Sequence, residues 1–362
     1  MSQNAEDLLD VIAALVTPLL YGLDTIAHVA RYFHPSRLDA IGPAIGHSDA
    51  ELAAALERFQ TVYWPDNLAS FRDQLEQSAG LALSVFEGLR AAATSPDGAW
   101  EVFRALRRLP RAAEALYPVA TALPILSKFF LEPASRNDTA LIRRLAEAER
   151  DRPDTGVIHF TNAFSDRGGF SLYVPEYLDP DTAYPLVIAL HGGSGHGRSF
   201  LWSWVREART RGLIVLAPTA IAETWSLMAE DVDRANIERM LEFIEKSWKI
   251  DPQKRLLTGM SDGGTFSLLA GLHEASPFTH LAPFAPSFHP MLIAMTEPQR
   301  LAGLPIYLVH GALDWMFPVA MAREATELLG RAGAKVKYRE ISDLAHTYPR
   351  DENSALLDWF LA

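Results

Sequence analysis

Gly259-Met260-Ser261-Asp262-Gly263-Gly264 places a serine between glycines, and it is the pattern in this chain with the clearest chemical use. The residues before it, 255–258, predict a strand, and those from Thr265 onward predict a helix. A serine on such a strand-to-helix turn is held on a tight bend with its hydroxyl exposed. Glycines at both ends let neighbouring backbone approach where a Cβ would not fit. The helix N-terminus that follows offers N–H groups and partial positive charge to a developing oxyanion. A glycine-serine turn can also be a mere connection, but the strand–turn–helix setting favours the chemical reading.

A nucleophilic serine needs oxyanion donors, a base and a group that orients the base. Leu190-His191-Gly192-Gly193-Ser194-Gly195 follows the most apolar strand pattern, Pro185–Leu190. A loop there can supply the N–H of Gly193 as one donor, with Asp262 N–H as the other and Gly192 as an additional candidate. No phosphate-loop sequence of the G-x-x-x-x-G-K-[ST] or G-x-G-x-x-G type occurs at this point. His191 reads as a residue that orders the loop. Asp314, in His310-Gly311-Ala312-Leu313-Asp314, lies just past the predicted strand 306–309, and after it the chain has one histidine, His346. Serine, acid, histidine is the chain order expected for this kind of turn. Asp343 competes for the acid role but shares the histidine's own loop. Trp225, Trp315, His196 and His289, with Phe288, fall in strand-end loops and are candidates to line a substrate pocket. Metal binding is not expected, because no H-E-x-x-H occurs and the histidines lack ligand spacing.

The elements that must position these residues show two regimes. From the start to about Asn137 the pattern is helical. Leu8, Ile12, Leu15, Leu19, Leu23 and Ile26 fall at helical spacing. They predict an amphipathic helix, kinked at Pro18 and packed on protein rather than spanning a membrane. Its apolar core Val11–Leu23 is short and bounded by Asp10 and Asp24, whereas a span wants ~20 residues. Contact with a membrane surface is disfavoured because the polar face lacks lysine and arginine. Ser48-Asp-Ala-Glu51 reads as a capping box opening Leu52–Gln60. Further helices are predicted from Pro65 to Ser78, over Leu81–Ala93, over Trp100–Leu109 and over Leu123–Leu131. Residues 138–155 read as a linker, with Asp138 capping the short helix Leu141–Ala148. From 156 onward short strands alternate with helices, which predicts a mostly parallel, doubly wound sheet with its site at the carboxyl ends of the strands. The expected organisation is an all-helical region, 1–137, and an α/β catalytic domain, 156–362.

Composition narrows the class. The chain has 362 residues, 49% of them hydrophobic, with 33 Lys+Arg against 45 Asp+Glu for a net charge of -12. It can bury a sizeable core and offers no basic footprint to nucleic acid. There is no cysteine, which removes disulfides, thiolate zinc sites and cysteine nucleophiles. The opening residues have no basic n-region and no cleavage site, so a cytoplasmic location is the expectation.

Phe170-Ser-Leu-Tyr-Val-Pro-Glu-Tyr, Leu190-His-Gly-Gly, Gly259-Met-Ser-Asp-Gly-Gly and His346-Thr-Tyr-Pro, in this order, carry a resemblance. The stretch from about Gly156 to the C-terminus resembles α/β-hydrolases of the phospholipase/carboxylesterase and polyhydroxybutyrate depolymerase/feruloyl esterase type. The resemblance implies an α/β-hydrolase fold and serine-dependent hydrolysis of a small or polymeric carboxylic ester without a cofactor. It makes Ser261 the nucleophile, His346 the base and Asp314 the acid. Dienelactone hydrolases share the fold but usually use cysteine, which this chain lacks. The serine motif also resembles that of prolyl-oligopeptidase-type peptidases and thioesterases, so an amide or thioester bond stays open. A binding protein with an inactive hydrolase domain is the alternative from another class. The helical region departs from the usual family pattern, and a lid, a docking surface or a homo-oligomer contact is its expected use.

Overall fold

The computed structural model describes residues 3–149, 152–228 and 231–362. The chain divides into two compact units, Met1–Arg136 and Asn137–Ala362. The segment read as a linker, 138–155, falls on the second unit's side of that division, and its residues 150 and 151 lie outside the described residues. Asp138 caps the helix Thr139–Glu147 by accepting from the N–H groups of Ala140 and Leu141.

The first unit is all helix. It opens with one 30-residue helix, Gln3–Tyr32, that runs through Asp10, Pro18 and Asp24. The predicted apolar stripe through Leu23 and Ile26 continues one turn further, to Val29, so packing carries the helix on to Tyr32. Leu15, Leu19, Leu23, Ile26 and Val29 are buried. By length and composition Leu8–Tyr32 is the one helix among the described residues able to cross a membrane. Two expectations are corrected. The helix Ser48–Thr61 begins beside His47, whose carbonyl accepts from Ala50 and Glu51, so Ser48 is not a side-chain cap. The separate helices predicted over Pro65–Ser78 and Leu81–Ala93 are one helix, Ala69–Ala92. Gly80 lies inside it with open space where a Cβ would be, so it breaks nothing. Gly88 has a different reason: a Cβ there would come within 2.7 Å of the Ala105 Cβ. The helix Gly98–Leu106 crosses at that point.

The second unit is built on eight strands: β1 (Gly156–Phe160), β2 (Phe170–Val174), β3 (Tyr184–Leu190), β4 (Ile214–Pro218), β5 (Ile250–Met260), β6 (His280–Phe284), β7 (Pro305–Gly311) and β8 (Lys335–Ile341). Their order in one sheet is β1-β2-β4-β3-β5-β6-β7-β8. The β1–β2 and β2–β4 pairs are antiparallel, and every other pair is parallel. The central strands are apolar without alternation because helices cover both faces of such a sheet. Leu186, Ile188, Leu257, Leu281, Ile306 and Leu308 are all fully buried. Strand and helix types follow the sequence reading in this unit, apart from two short helices it does not mark, Met291–Ala294 and Pro298–Leu301. Differences are at the ends, where β5 starts at Ile250, and at Phe200–Arg209, whose pattern predicts one helix. That segment is a short helix, Gly197–Phe200, then a 3-10 turn and the helix Val205–Arg211.

Leu257 sits at the centre of this sheet, registered against Ile188 on β3 and Leu281 on β6. Leu257→Ala is expected to lower stability by about 2–5 kcal/mol, read as an earlier urea unfolding midpoint. A loss near zero would mean the central strands are not the packed core described.

Candidate active site

β5 delivers Ser261 to the carboxyl edge, and the helix Asp262–Gly271 leaves directly from it. Ser261 has φ 57° and ψ -119°, a conformation that costs a side-chain-bearing residue ~1–3 kcal/mol. Neighbouring bonds enforce it. Ser261 N–H donates to the Phe284 carbonyl of β6 at 2.9 Å, and the Ser261 carbonyl accepts from Thr265 N–H at 2.8 Å. Gly263 is required by close approach, since a Cβ there would overlap the carbonyl oxygens of Leu190 and His191.

The loops after β7 and β8 bring two further groups to this hydroxyl. His346 Nε2 lies 2.9 Å from Ser261 Oγ, and His346 Nδ1 lies 2.8 Å from Asp314 Oδ2. With Nδ1–H donating to the carboxylate, Nε2 accepts the serine O–H. The other carboxylate oxygen, Asp314 Oδ1, accepts from Met316 N–H at 2.9 Å and Phe317 N–H at 2.8 Å. Burial works to raise the pKa of Asp314. The hydrogen bonds from His346 and Phe317, and the neighbouring imidazoles, outweigh it and hold the group below the ordinary carboxylate value. Asp343, the competing acid, is exposed, while His346 Nδ1 faces Asp314. The rings of Trp315 and Phe317 stand edge-on to His346 at centroid distances of 6.3 and 5.3 Å.

On the other side of the serine, Gly192 packs against it, with a Cβ-to-be 3.6 Å from the Ser261 Cβ. The loop's own hydrogen bonds are made by the next two residues. Ser194 N–H donates to the Glu223 carbonyl at 3.0 Å and Gly195 N–H to Gly192 at 3.0 Å, which leaves Gly193 clear of them. Asp262, as the first residue of its helix, has an N–H with no intrahelical acceptor. Gly192 thus borders Ser261, and Gly193 lies against the Asp262 side chain. His191 orders this loop: its Nε2 accepts from Ala220 N–H at 3.1 Å, and its Nδ1 is 2.7 Å from the Gly192 carbonyl.

The four residues read as pocket candidates are placed differently from one another. Trp225 is buried, donates Nε1–H to the His191 carbonyl at 2.7 Å and stacks on Phe266. His196 turns to the β1–β2 loop, with Nε2 on the carbonyls of Ala163 and Asp166. His289 is exposed and accepts Met291 N–H at the start of a short helix. Trp315 alone stands beside His346. Phe288 is buried.

Sequence reasoning missed three supporting residues. Thr224 donates its hydroxyl to Asp262 Oδ2 at 2.6 Å. Arg167, from the β1–β2 loop, donates to the Gly195 carbonyl at 2.7 Å and through Nε to the Ala222 carbonyl at 2.8 Å. Phe317 both donates to the acid and flanks the base. Their contacts join loops far apart in sequence, and no local pattern marks them. Among the described residues no group of three or more metal-ligating side chains occurs.

The mostly parallel sheet, with Ser261 on the turn after β5 and Asp314 and His346 on the loops after β7 and β8, gives the second unit the α/β-hydrolase fold. Residues 219–360 match the model of the Phospholipase/Carboxylesterase family. A bifunctional acetylxylan esterase/xylanase of Neocallimastix patriciarum is 28% identical over 147 residues, covering 40% of this chain and 21% of that protein. A protein of Aspergillus terreus named "Probable feruloyl esterase C" is 31% identical over 127 residues, covering 33% of this chain and 47% of its own. The chain therefore spans less than half the length of these curated relatives. The solved structure of a thermostable esterase aligns with a TM-score of 0.47 at 22% identity, covering 57% of this chain and 62% of that one.

Burial pushes the His191 pKa down to about 3, against ~6.5 in an unfolded chain. The unfolded state then binds the proton more readily, so this contribution is fully present above ~6.5 and is lost as pH falls toward the folded value. Thermal stability of the wild type is expected to decline between pH 6.5 and 4, and His191→Gln to decline less steeply. Identical slopes for the two proteins would show that His191 is not buried neutral.

Proposed function

We propose that this chain is a serine-dependent hydrolase of carboxylic esters that works through an acyl-serine intermediate. The observation that carries the reading is the continuous hydrogen-bonded series Ser261 Oγ, His346, Asp314, at 2.9 and 2.8 Å. Ser261 Oγ attacks the ester carbonyl as His346 Nε2 takes its proton, and the imidazolium returns that proton to the departing alcohol oxygen. A water then attacks the acyl-serine by the same route in reverse, releasing the acid and restoring the serine. Asp314 fixes the imidazole tautomer and stabilises its charged form. Gly193 and Asp262 N–H groups, with Gly192 beside them, bind the oxyanion, where the loss of one donor typically costs ~10²–10³ in turnover. The chemistry calls for no cofactor.

The names of the relatives support an ester rather than an amide, and the family match supports the same bond. Trp315 beside His346 offers an aromatic wall to the leaving group or the acyl part, small or polymeric. A panel of short-chain, long-chain and aromatic esters, run against peptide amides and thioesters, is expected to give hydrolysis of esters first. Preference for an amide or thioester would replace the ester assignment.

A fluorophosphonate probe is expected to label the wild type and leave Ser261→Ala unlabelled. Labelling that persists in the mutant would remove Ser261 from its role. Asp314→Asn should lower turnover by about 10³–10⁴-fold, while Asp343→Asn leaves it within a few fold. The reverse ranking would move the acid role to Asp343.

A further inference from the structure

β7 buries a second histidine next to the acid. His310 is fully buried, and its Nε2 lies 2.9 Å from the Phe317 carbonyl and 3.4 Å from Asp314 Oδ2. Nε2 faces two acceptors, so it carries the proton, and Nδ1 is then a bare acceptor. Among the described residues Nδ1 has no hydrogen-bond partner. Its cross-strand neighbour in register is Glu340 of β8. That carboxylate is taken by Arg323, at 2.8 and 2.6 Å, and by the Tyr338 hydroxyl at 2.9 Å.

A buried imidazole with one unsatisfied nitrogen costs stability, where an aliphatic side chain would fit a buried strand without that cost. The use of His310 must therefore lie in Nε2–H. Phe317 explains it. Its N–H donates to Asp314 Oδ1, and its carbonyl accepts from His310, so the two peptide groups flanking its Cα are both held. That grip closes the 314–317 turn, points Asp314 Oδ2 at His346 and sets the Phe317 ring against the base. Asp314 Oδ2 lies 3.4 Å from the same Nε2.

We propose that His310 is a positioning residue: its Nε2–H, shared between the Phe317 carbonyl and Asp314 Oδ2, holds the acid in the orientation that directs His346. The proposal rests on the hydrolase reading above. It does not touch substrate in this role and moves no proton. Neutrality matters to it, because a second imidazolium beside Asp314 would compete with that of His346. Burial holds the His310 pKa below the ordinary imidazole value, against the raising influence of the Phe317 carbonyl, Asp314 and Glu340. The groups facing it are Asp314 and Phe317 from its own loop, His346 from the loop after β8, and Glu340 from β8.

Two variants test it. His310→Leu removes the donor, and His310→Gln keeps an N–H near the Nε2 position. With the best ester from the panel, His310→Leu is expected to lose ~10-fold or more in kcat with KM nearly unchanged, the pattern of a lost transition-state contribution. The acid limb of its kcat profile should move to higher pH, because the carboxylate then spends its charge on His346 alone. His310→Gln should recover most of kcat and return the limb toward the wild-type position. A His310→Leu variant with wild-type kcat and pH limb would overturn the proposal. So would equal losses in both variants that track lowered melting temperatures, since packing would then be the whole role. Failure of the hydrolase reading is distinguishable: the wild type itself would turn over no ester, and the inference would fall with it.

Discussion

An ionised carboxylate cut off from water organises the carboxyl edge of this sheet. Burying such a charge is costly unless every lone pair meets a donor. The Asp314 side chain is fully buried, and donors from two loops and one strand surround it. Met316 and Phe317 N–H groups take one oxygen, and His346 takes the other, with His310 beside it. The imidazole is thus oriented by a group that cannot relax toward solvent. Its second nitrogen falls where the strained turn at Ser261 presents the hydroxyl.

That strain has its own supports. A serine at φ 57° persists because β6 binds its N–H, and because the backbone after β3 presses on Gly263. The loop after β3 is held from the opposite side by the loop after β4, through Glu223, Trp225 and Ala220, and by Arg167 from the β1–β2 loop. Local geometry at the serine is therefore a product of β6 and three strand-end loops as well as of its own motif.

Much of this was legible in the sequence where the signal is local. Gly263 and Gly264 mark a close approach, the unbroken apolar runs mark central strands, and the single histidine after Asp314 leaves one base to consider. Helix ends in the first unit were less legible. Two helices, Pro65–Ser78 and Leu81–Ala93, are predicted there, yet burial of Leu75, Ala79, Ala82 and Phe86 on one face carries a single helix through. Tertiary packing decides such cases over propensity. Arg167, Thr224 and Phe317 were illegible because their partners lie across the fold or on backbone atoms that any residue supplies. The aromatic and histidine candidates divide in the same way: Trp225 and His196 spend their polar atoms on backbone within the fold, and Trp315 stands open beside the base.

The central claim is that the hydroxyl held by His346 and Asp314 becomes covalently acylated during turnover. Stopping the reaction with a slowly released ester and mapping the acyl group by peptide mass spectrometry tests it most directly. The account predicts the added mass of one acyl group on the peptide containing Ser261, in proportion to active enzyme. An acyl group on another residue, or ester turnover with no covalent adduct at any stage, would contradict it.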